Sequence, residues 1–296
     1  MTIPRAHHGE VSIAYESLGG PDGSPLLLIP GMGAQMLDWP DGFCRILIDH
    51  GFDVARFDNR DCGLSTHFTT AGVPGKLDLL RRPGKVAPYE LSDMAGDALC
   101  VMDALGWSRS HVVGVSLGGM IAQTIAIEYP ERVLSLTSVS STPWWRIGRP
   151  SIRAMLRIAR VTKRDVANAE EAAQLSVDLN RIVASPGFDL DEAEIRSRAR
   201  LAYERETDRH GIWRQLAAIT ASDDRRAALG RLDLPALVLH GEQDVVFRMQ
   251  AGRATAEAIP GARFRSFPGM GHDLPRELWP QIAGEIRSVA DHAPAR

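Results

Sequence analysis

The chain has 296 residues, of which 44% are hydrophobic, and a formal net charge of −3. That length can bury the core of one large α/β domain or of two smaller ones. Charges of both signs are mixed along the chain, which argues against a nucleic-acid-binding surface. No apolar run is long enough for stable membrane insertion, and the first residues, MTIPRAHHGEVSIAYES, contain no secretory signal pattern, so we expect a cytoplasmic protein.

Cysteine usage also favours a reducing compartment. Cys44, Cys62 and Cys100 are widely separated and lack the CxxC spacing of zinc or redox sites, so we expect free thiols. The sequence contains no metal-binding, nucleotide-binding or flavin-binding motif, and we expect no cofactor. It does not decide between a monomer and a homo-oligomer.

Short apolar runs alternate with helical patterns along most of the chain. The first run, 11–15, alternates with polar residues as an edge strand would, and the later runs lie at 26–29, 54–57, 112–115, 134–139, 236–239 and 264–267. Helical patterns occupy about 41–50, 91–106, 118–128, 248–258 and 278–291. Continuous apolar runs are typical of parallel strands covered on both faces, so the pattern predicts a doubly wound α/β fold.

One long segment interrupts this alternation. Between about 142 and 230 the pattern favours amphipathic helices and no strand, whereas strands resume near residue 236. We therefore predict a core built from residues 1–141 and 231–296, with residues 142–230 inserted between two strands of the sheet.

Three chemically reactive side chains follow predicted strands. Ser116, Asp244 and His272 each come just after a strand, where the carboxyl ends of parallel strands gather ligands. A serine, an acid and a histidine in this chain order suit nucleophilic catalysis. Ser116 would attack a carbonyl, His272 would accept its proton, and Asp244 would orient the imidazole.

The stretch HVVGVSLGGM supports the assignment of Ser116 as the nucleophile. A nucleophile that projects from a tight strand-to-helix turn needs a strained backbone, and neighbouring side chains would collide there. Gly114 and Gly118 remove that collision. The backbone N–H of Leu117, at the start of the next helix, is then one donor for an oxyanion, and the N–H of Met32 in the loop after strand 26–29 is the second.

The sequence identifies the acid of this trio less directly than the serine and the histidine. Asp273 is adjacent to His272, but neighbours in sequence seldom face each other's ring nitrogens. The strand at 134–139 ends in two serines and a threonine and offers no carboxylate. Asp244 is therefore preferred, with Glu242 as the second choice.

Bulky apolar side chains lie near these positions in the sequence. We expect five residues to contact the substrate: Trp39, Trp144, Trp145, Val245 and Leu274. Together they would form the bounded apolar pocket that is usual for small-molecule sites. For any one tryptophan, packing in the core is an equally good explanation.

Over essentially its whole length the chain resembles the α/β-hydrolase superfamily. Within that superfamily it is most similar to the lipases and carboxylesterases that include the aclacinomycin methylesterase-like enzymes. The matching stretches are PGMGAQMLDWP, RFDNRDCGLST, HVVGVSLGGMIAQ, VLHGEQD and GMGHDLP. The resemblance implies an eight-stranded sheet with a helical cap at about 142–230. Two departures are Pro30 where many relatives have histidine, and Asp61 where the usual D-x-R-G-x-G-x-S pattern has glycine; in this segment Arg60 is expected to brace the rim of the site.

These features predict a serine hydrolase that cleaves small to medium uncharged carboxylic esters through an acyl-enzyme. The same triad would also serve a C–C bond (diketone) hydrolase or a cofactor-free perhydrolase, and these alternatives stay open. A non-catalytic ligand receptor is a minor alternative. Dehalogenases and epoxide hydrolases of this fold use an aspartate nucleophile, so Ser116 argues against both.

Overall fold

The structure is a computed structural model that describes residues 3–20, 22–75, 78, 82–206 and 208–293. Eight strands form one sheet. They are β1 (Arg5–His8), β2 (Val11–Gly19), β3 (Ser24–Ile29), β4 (Phe52–Phe57), β5 (Ser110–Val115), β6 (Val133–Val139), β7 (Ala236–Gly241) and β8 (Arg263–Phe267). Their spatial order is β1-β2-β4-β3-β5-β6-β7-β8, and only β1 and β2 run antiparallel to their neighbours. The predicted fold class, a mostly parallel α/β sheet, is confirmed.

Strand burial follows position in the sheet. Every residue of β6 and β7 is buried, as expected for central parallel strands covered on both faces, whereas exposed residues alternate along β8 at one edge. The expectation that strand 11–15 forms the other edge is wrong. Strand β1, which the apolar pattern did not predict, pairs with the outer side of β2.

Helices cover both faces of the sheet. Those described are α1 (Asp41–Asp49), α2 (Pro83–Val86), α3 (Leu91–Ala104), α4 (Leu117–Glu128), α5 (Ile152–Thr162), α6 (Ala169–Val183), α7 (Glu192–Arg205), α8 (Gly211–Ala221), α9 (Arg226–Leu229), α10 (Gln250–Ala258) and α11 (Trp279–Ala290). Apolar residues of α3 and α4 form one core cluster, and those of α1 and α11 form the other. The sheet is therefore enclosed as the continuous apolar strands require.

Helices α5 to α9 all lie in the chain between β6 and β7. Within the described residues of that interval there is no strand. The division into a core and an inserted segment at 142–230 stays a prediction. None of the described helices is long and apolar enough to cross a membrane. The three cysteines are free thiols, two of them buried.

Two buried ion pairs join the loop after β4 to the inserted helices. Arg205 at the end of α7 contacts Asp58 at 2.5 Å, and Arg214 of α8 donates to both carboxylate oxygens of Asp61 at 2.6 and 2.8 Å. The Asp61 and Arg214 side chains are 0% and 2% exposed. Asp61 thus replaces the usual glycine because it is the partner of a buried guanidinium. The third charge of this loop, Arg60, pairs with Asp97 of α3, and its expected role at the rim of the site stays a prediction.

Because Arg214 would lose its main partner, Asp61→Asn is expected to destabilise the protein by about 3 kcal/mol or more. Asparagine tolerates the left-handed backbone at this position, where φ is 65°. The loss of stability would therefore come from the lost charge and not from backbone strain. Urea unfolding measures it. The control is Glu192→Gln, which breaks an exposed pair with Arg181 and should cost at most about 1 kcal/mol; equal losses in both variants would contradict this account.

Candidate active site

Ser116 occupies a strained turn between β5 and α4. Its φ is 56° and its ψ is −117°, a conformation that non-glycine residues rarely adopt. A Cβ atom on Gly114 would lie 2.0 Å from the carbonyl oxygen of Gly118, and one on Gly118 would lie 2.1 Å from the carbonyl oxygen of Ile29. Only glycine fits either position, which is why the sequence reads GVSLG.

Neighbouring strand β6 holds this turn in place. The backbone N–H of Ser116 donates to the carbonyl of Val139 at 2.9 Å, and the hydroxyl of Ser141 donates to the carbonyl of Ser116 at 2.7 Å. Both backbone groups of the serine are thereby satisfied, and its side chain is part-exposed. Its hydroxyl can therefore meet a ligand above the carboxyl ends of the strands.

A continuous hydrogen-bonded chain links the three residues predicted from strand ends. His272 Nε2 lies 3.0 Å from Ser116 Oγ, and His272 Nδ1 lies 2.7 Å from Asp244 Oδ2. The other carboxylate oxygen of Asp244 accepts from the N–H groups of Val246 and Phe247 at 2.8 and 2.9 Å. A carboxylate at Nδ1 assigns the proton to that nitrogen, which leaves Nε2 free to accept one from the serine.

The electrostatics of this chain act on the imidazole. Burial lowers the pKa of His272, but the charge and the hydrogen bond of Asp244 raise it, and Asp273 adds a smaller effect in the same direction. The net result is a pKa above the ordinary histidine value. Of the two carboxylates, Asp244 is the one in contact with the ring, and a carboxylate in that position stabilises the charged imidazolium form.

The two other candidate acids lie elsewhere. Asp273 Oδ1 accepts a hydrogen bond from the hydroxyl of Ser185, and Glu242 is exposed and accepts from Ser266 at 2.8 Å. Neither makes the contact with His272 Nδ1 that Asp244 makes. The choice of Asp244 as the acid stays a prediction, with this contact in its favour.

The loop predicted to supply the second oxyanion donor lies against the serine. A Cβ atom on Gly31 would be 3.5 Å from Ser116 Cβ, and Met32, which is 36% exposed, follows directly. Leu117 is the first residue of α4, where helix N–H groups have no partner within the helix. Leu117 is bonded to Ser116, and Met32 follows the glycine that lies against it, so both backbone N–H groups stay the predicted oxyanion donors.

Two side chains from elsewhere in the chain, and not a histidine within the loop, hold this loop in place. Asn59 Nδ2 donates to the carbonyl of Pro30 at 3.0 Å, and the N–H of Gly33 donates to Gln215 Oε1 of α8 at 2.8 Å. The replacement of histidine by Pro30 is thus accommodated by contacts from two different parts of the chain.

The five residues expected to contact the substrate fall into different environments. Trp39 is 2% exposed and stacks on Phe43 in the core, so its contacts are those of a packing residue and its substrate role stays a prediction. The others, Trp144, Trp145, Val245 and Leu274, are half-buried. Arg146 lies over both tryptophan rings, at 5.1 and 5.0 Å from their centroids.

Several residues around the candidate triad and around the Met32 loop were not predicted from the sequence. The Phe247 ring lies 6.0 Å from the His272 ring, and its carbonyl oxygen is 2.7 Å from Nε2 of the buried His240. Gln215 and Ser185 come from the insertion. They contact backbone atoms far away in sequence, and such contacts leave no sequence pattern.

One trio in the described part of the chain has donor atoms suited to a cation. Ligand atoms of His67, Glu206 and Asp208 lie within 4.8 Å of one another. Asp208 already contacts Arg214 at 3.2 Å and His210 at 3.0 Å, and His67 contacts Glu206 at 2.9 Å. Ion pairing therefore accounts for the cluster, which contains none of Ser116, Asp244 and His272.

Comparison with known proteins agrees with this architecture. The α/β hydrolase fold family matches residues 24–275. Rhodomycin D methylesterase DauP of Streptomyces sp. strain C5 is 30% identical, with 94% of each chain covered. The pimeloyl-[acyl-carrier protein] methyl ester esterase of Chromobacterium violaceum is 29% identical over 73% of this chain and 83% of its own. A hydrolase from Pseudomonas aeruginosa PA01 has a similar structure, with a TM-score of 0.71, 27% identity and coverage of 97% and 98%.

The chain belongs to the α/β hydrolase fold family, and the resemblance inferred from the five sequence stretches is confirmed.

Proposed function

We propose that this protein is a serine carboxylesterase with Ser116 as nucleophile, His272 as general acid and base, and Asp244 as the acid that orients it. The observation that carries the proposal is the unbroken chain from Asp244 Oδ2 through His272 to Ser116 Oγ, with contacts of 2.7 and 3.0 Å. The strained turn at Ser116 adds support, because such strain is common at functional sites.

The reaction follows from these positions. Ser116 Oγ bonds to the ester carbonyl carbon while its proton passes to His272 Nε2, and the N–H groups of Met32 and Leu117 stabilise the oxyanion. The bond between the carbonyl carbon and the alcohol oxygen then breaks, and His272 gives the proton to that oxygen. The alcohol departs and the acyl group stays on Ser116 as an acyl-enzyme. Water repeats the sequence on the acyl-enzyme, releases the acid and restores Ser116.

The named relatives favour esters over other carbonyl compounds. DauP is a methylesterase and the Chromobacterium protein is a methyl ester esterase. The half-buried apolar side chains of Trp144, Trp145 and Leu274 suit an uncharged acyl group. We therefore propose esters of small to medium acids, with small alcohols such as methanol among the leaving groups.

A panel of p-nitrophenyl esters of increasing acyl length tests this substrate class. Because each buried methylene contributes about 0.8 kcal/mol, kcat/KM should rise over the first few carbons and fall once the chain outgrows the pocket. Trp144→Ala should move the optimum to longer chains. A flat profile would contradict a bounded pocket.

The same panel, extended to an aryl amide, a C–C diketone and methyl esters, separates the alternative reactions. Ester hydrolysis should exceed cleavage of the amide and of the diketone, and EDTA should leave it unchanged. A diketone turned over faster than every ester would assign the triad to C–C bond hydrolysis.

The pH dependence follows from the raised pKa of His272. The imidazole must be neutral to accept the Ser116 proton, so kcat/KM should increase with pH through a limb above the ordinary histidine value of about 6.5. Activity is lost as pH falls through that limb. Steady-state rates between about pH 5 and 9 measure it, and a limb well below the ordinary value would show that Asp244 does not act on His272 as proposed.

A further inference from the structure

Ser185 connects the inserted segment to the loop that carries His272. It lies in the connection between α6 and α7, and it is 7% exposed. Its hydroxyl oxygen accepts a hydrogen bond from the N–H of Gly271 at 2.8 Å, and the same hydroxyl donates to Asp273 Oδ1. One side chain therefore holds the residues on both sides of the histidine, although they lie 86 and 88 positions away in sequence.

The backbone makes the same connection. The N–H of His272 donates to the carbonyl of Val183, the last residue of α6, at 2.8 Å. A Cβ atom on Gly271 would lie 2.5 Å from the carbonyl oxygen of Ala184, so only glycine allows the approach. The histidine loop is thus fixed by the insertion as well as by the sheet.

Asp273 gives this contact an electrostatic consequence. Burial raises the pKa of its carboxyl group, whereas hydrogen bonds from the hydroxyl and backbone of Ser185 lower it and so favour the charged form. That charge is one of the groups that raise the pKa of His272. Loss of the Ser185 hydroxyl should raise the pKa of Asp273 and so weaken its charge, and a weaker charge at Asp273 lowers the pKa of His272.

We propose that Ser185 is a positioning residue, which holds the His272 loop so that the imidazole stays aligned between Asp244 and Ser116. The inference rests on the proposed role of His272 as the base. It makes the geometry of the triad depend on the insertion between β6 and β7, although no triad residue comes from that segment.

The test compares Ser185→Ala with Ser185→Thr, which keeps a hydroxyl. In Ser185→Ala, kcat should fall about 10- to 100-fold while KM changes less than about threefold, because the loss concerns alignment rather than substrate binding. The acidic limb of kcat/KM should move to lower pH. Ser185→Thr should restore most of kcat and the wild-type limb.

Ser151→Ala is the matched control. Its hydroxyl also lies in the insertion and accepts one backbone hydrogen bond, from Ala154 at 3.2 Å at the start of α5, but it does not contact the histidine loop. It should lower the melting temperature without moving the pH limb. If Ser185→Ala behaves like Ser151→Ala, with the limb in place and kcat retained, the proposal is overturned.

A second pair of variants decides the matter if Ser185→Ala does not fold. Asp273→Asn keeps an oxygen that can accept from Ser185, whereas Asp273→Ala removes it, so kcat should fall much further in Asp273→Ala. Equal rates in the two variants would overturn the proposal. Failure of the proposed function is distinguishable, since it would appear as retained turnover in Ser116→Ala.

Discussion

Ser116→Ala is expected to lower kcat for ester hydrolysis by a factor of about 10³ or more, with folding intact. Removal of Oγ abolishes the acyl-enzyme, and what remains is the stabilisation that the oxyanion donors and binding give to attack by water. Alanine also fits the same turn, since the contacts of Ser116 with Val139 and Ser141 involve only its backbone. Stopped assays on a p-nitrophenyl ester measure the effect, and circular dichroism checks the fold.

Ser266→Ala is the matched control for that measurement. Ser266 lies near the carboxyl end of β8, and its hydroxyl donates to the exposed Glu242. It should retain turnover. Near-normal kcat in Ser116→Ala would remove Ser116 from the mechanism.

The second large effect is expected at the acid. Asp244→Asn should lower kcat by about 10⁴, because an amide no longer holds the Nδ1 proton and the imidazole can adopt the wrong tautomer. The carboxylate also loses its charge, which otherwise stabilises the imidazolium formed when Ser116 gives up its proton. The variant should still fold, since an amide oxygen can accept from the N–H groups of Val246 and Phe247.

Asp273→Asn provides the comparison, because it changes a neighbouring half-buried carboxylate that is hydrogen-bonded to Ser185 and not to the ring nitrogen. The kcat of Asp273→Asn should stay within about tenfold of the wild-type value. The measurement is kcat for the two variants side by side at a pH above the histidine limb. If Asp273→Asn were the severely impaired variant and Asp244→Asn the mild one, the acid would be Asp273.

Much of the fold could be predicted because its buried strands are continuous apolar runs. Strands β3 to β8 and helices α1, α3, α4, α10 and α11 lie where the pattern placed them. Strand β1 was missed since only one of its four residues, Ala6, is buried, which gives no alternation to detect. Without β1, strand β2 looked like the edge of the sheet.

The candidate site divides in the same way. Ser116, Asp244 and His272 could be named because they lie one, three and five residues after the ends of β5, β7 and β8, and the carboxyl ends of parallel strands meet at one edge of the sheet. Gln215 could not be named, because its contact is with a backbone N–H 182 residues away. For Trp39, composition alone does not separate a core residue from a pocket residue, and its stacking on Phe43 is a matter of tertiary packing.

The most direct test of the central claim is covalent labelling with a p-nitrophenyl phosphonate, followed by mass spectrometry of the intact protein and its peptides. One adduct per chain should form, on the peptide that contains Ser116, with loss of esterase activity in proportion to labelling. Ser116→Ala should take up no label at this peptide. An adduct on another residue that tracks the loss of activity, or full activity in the labelled protein, would contradict the assignment of Ser116 as the nucleophile.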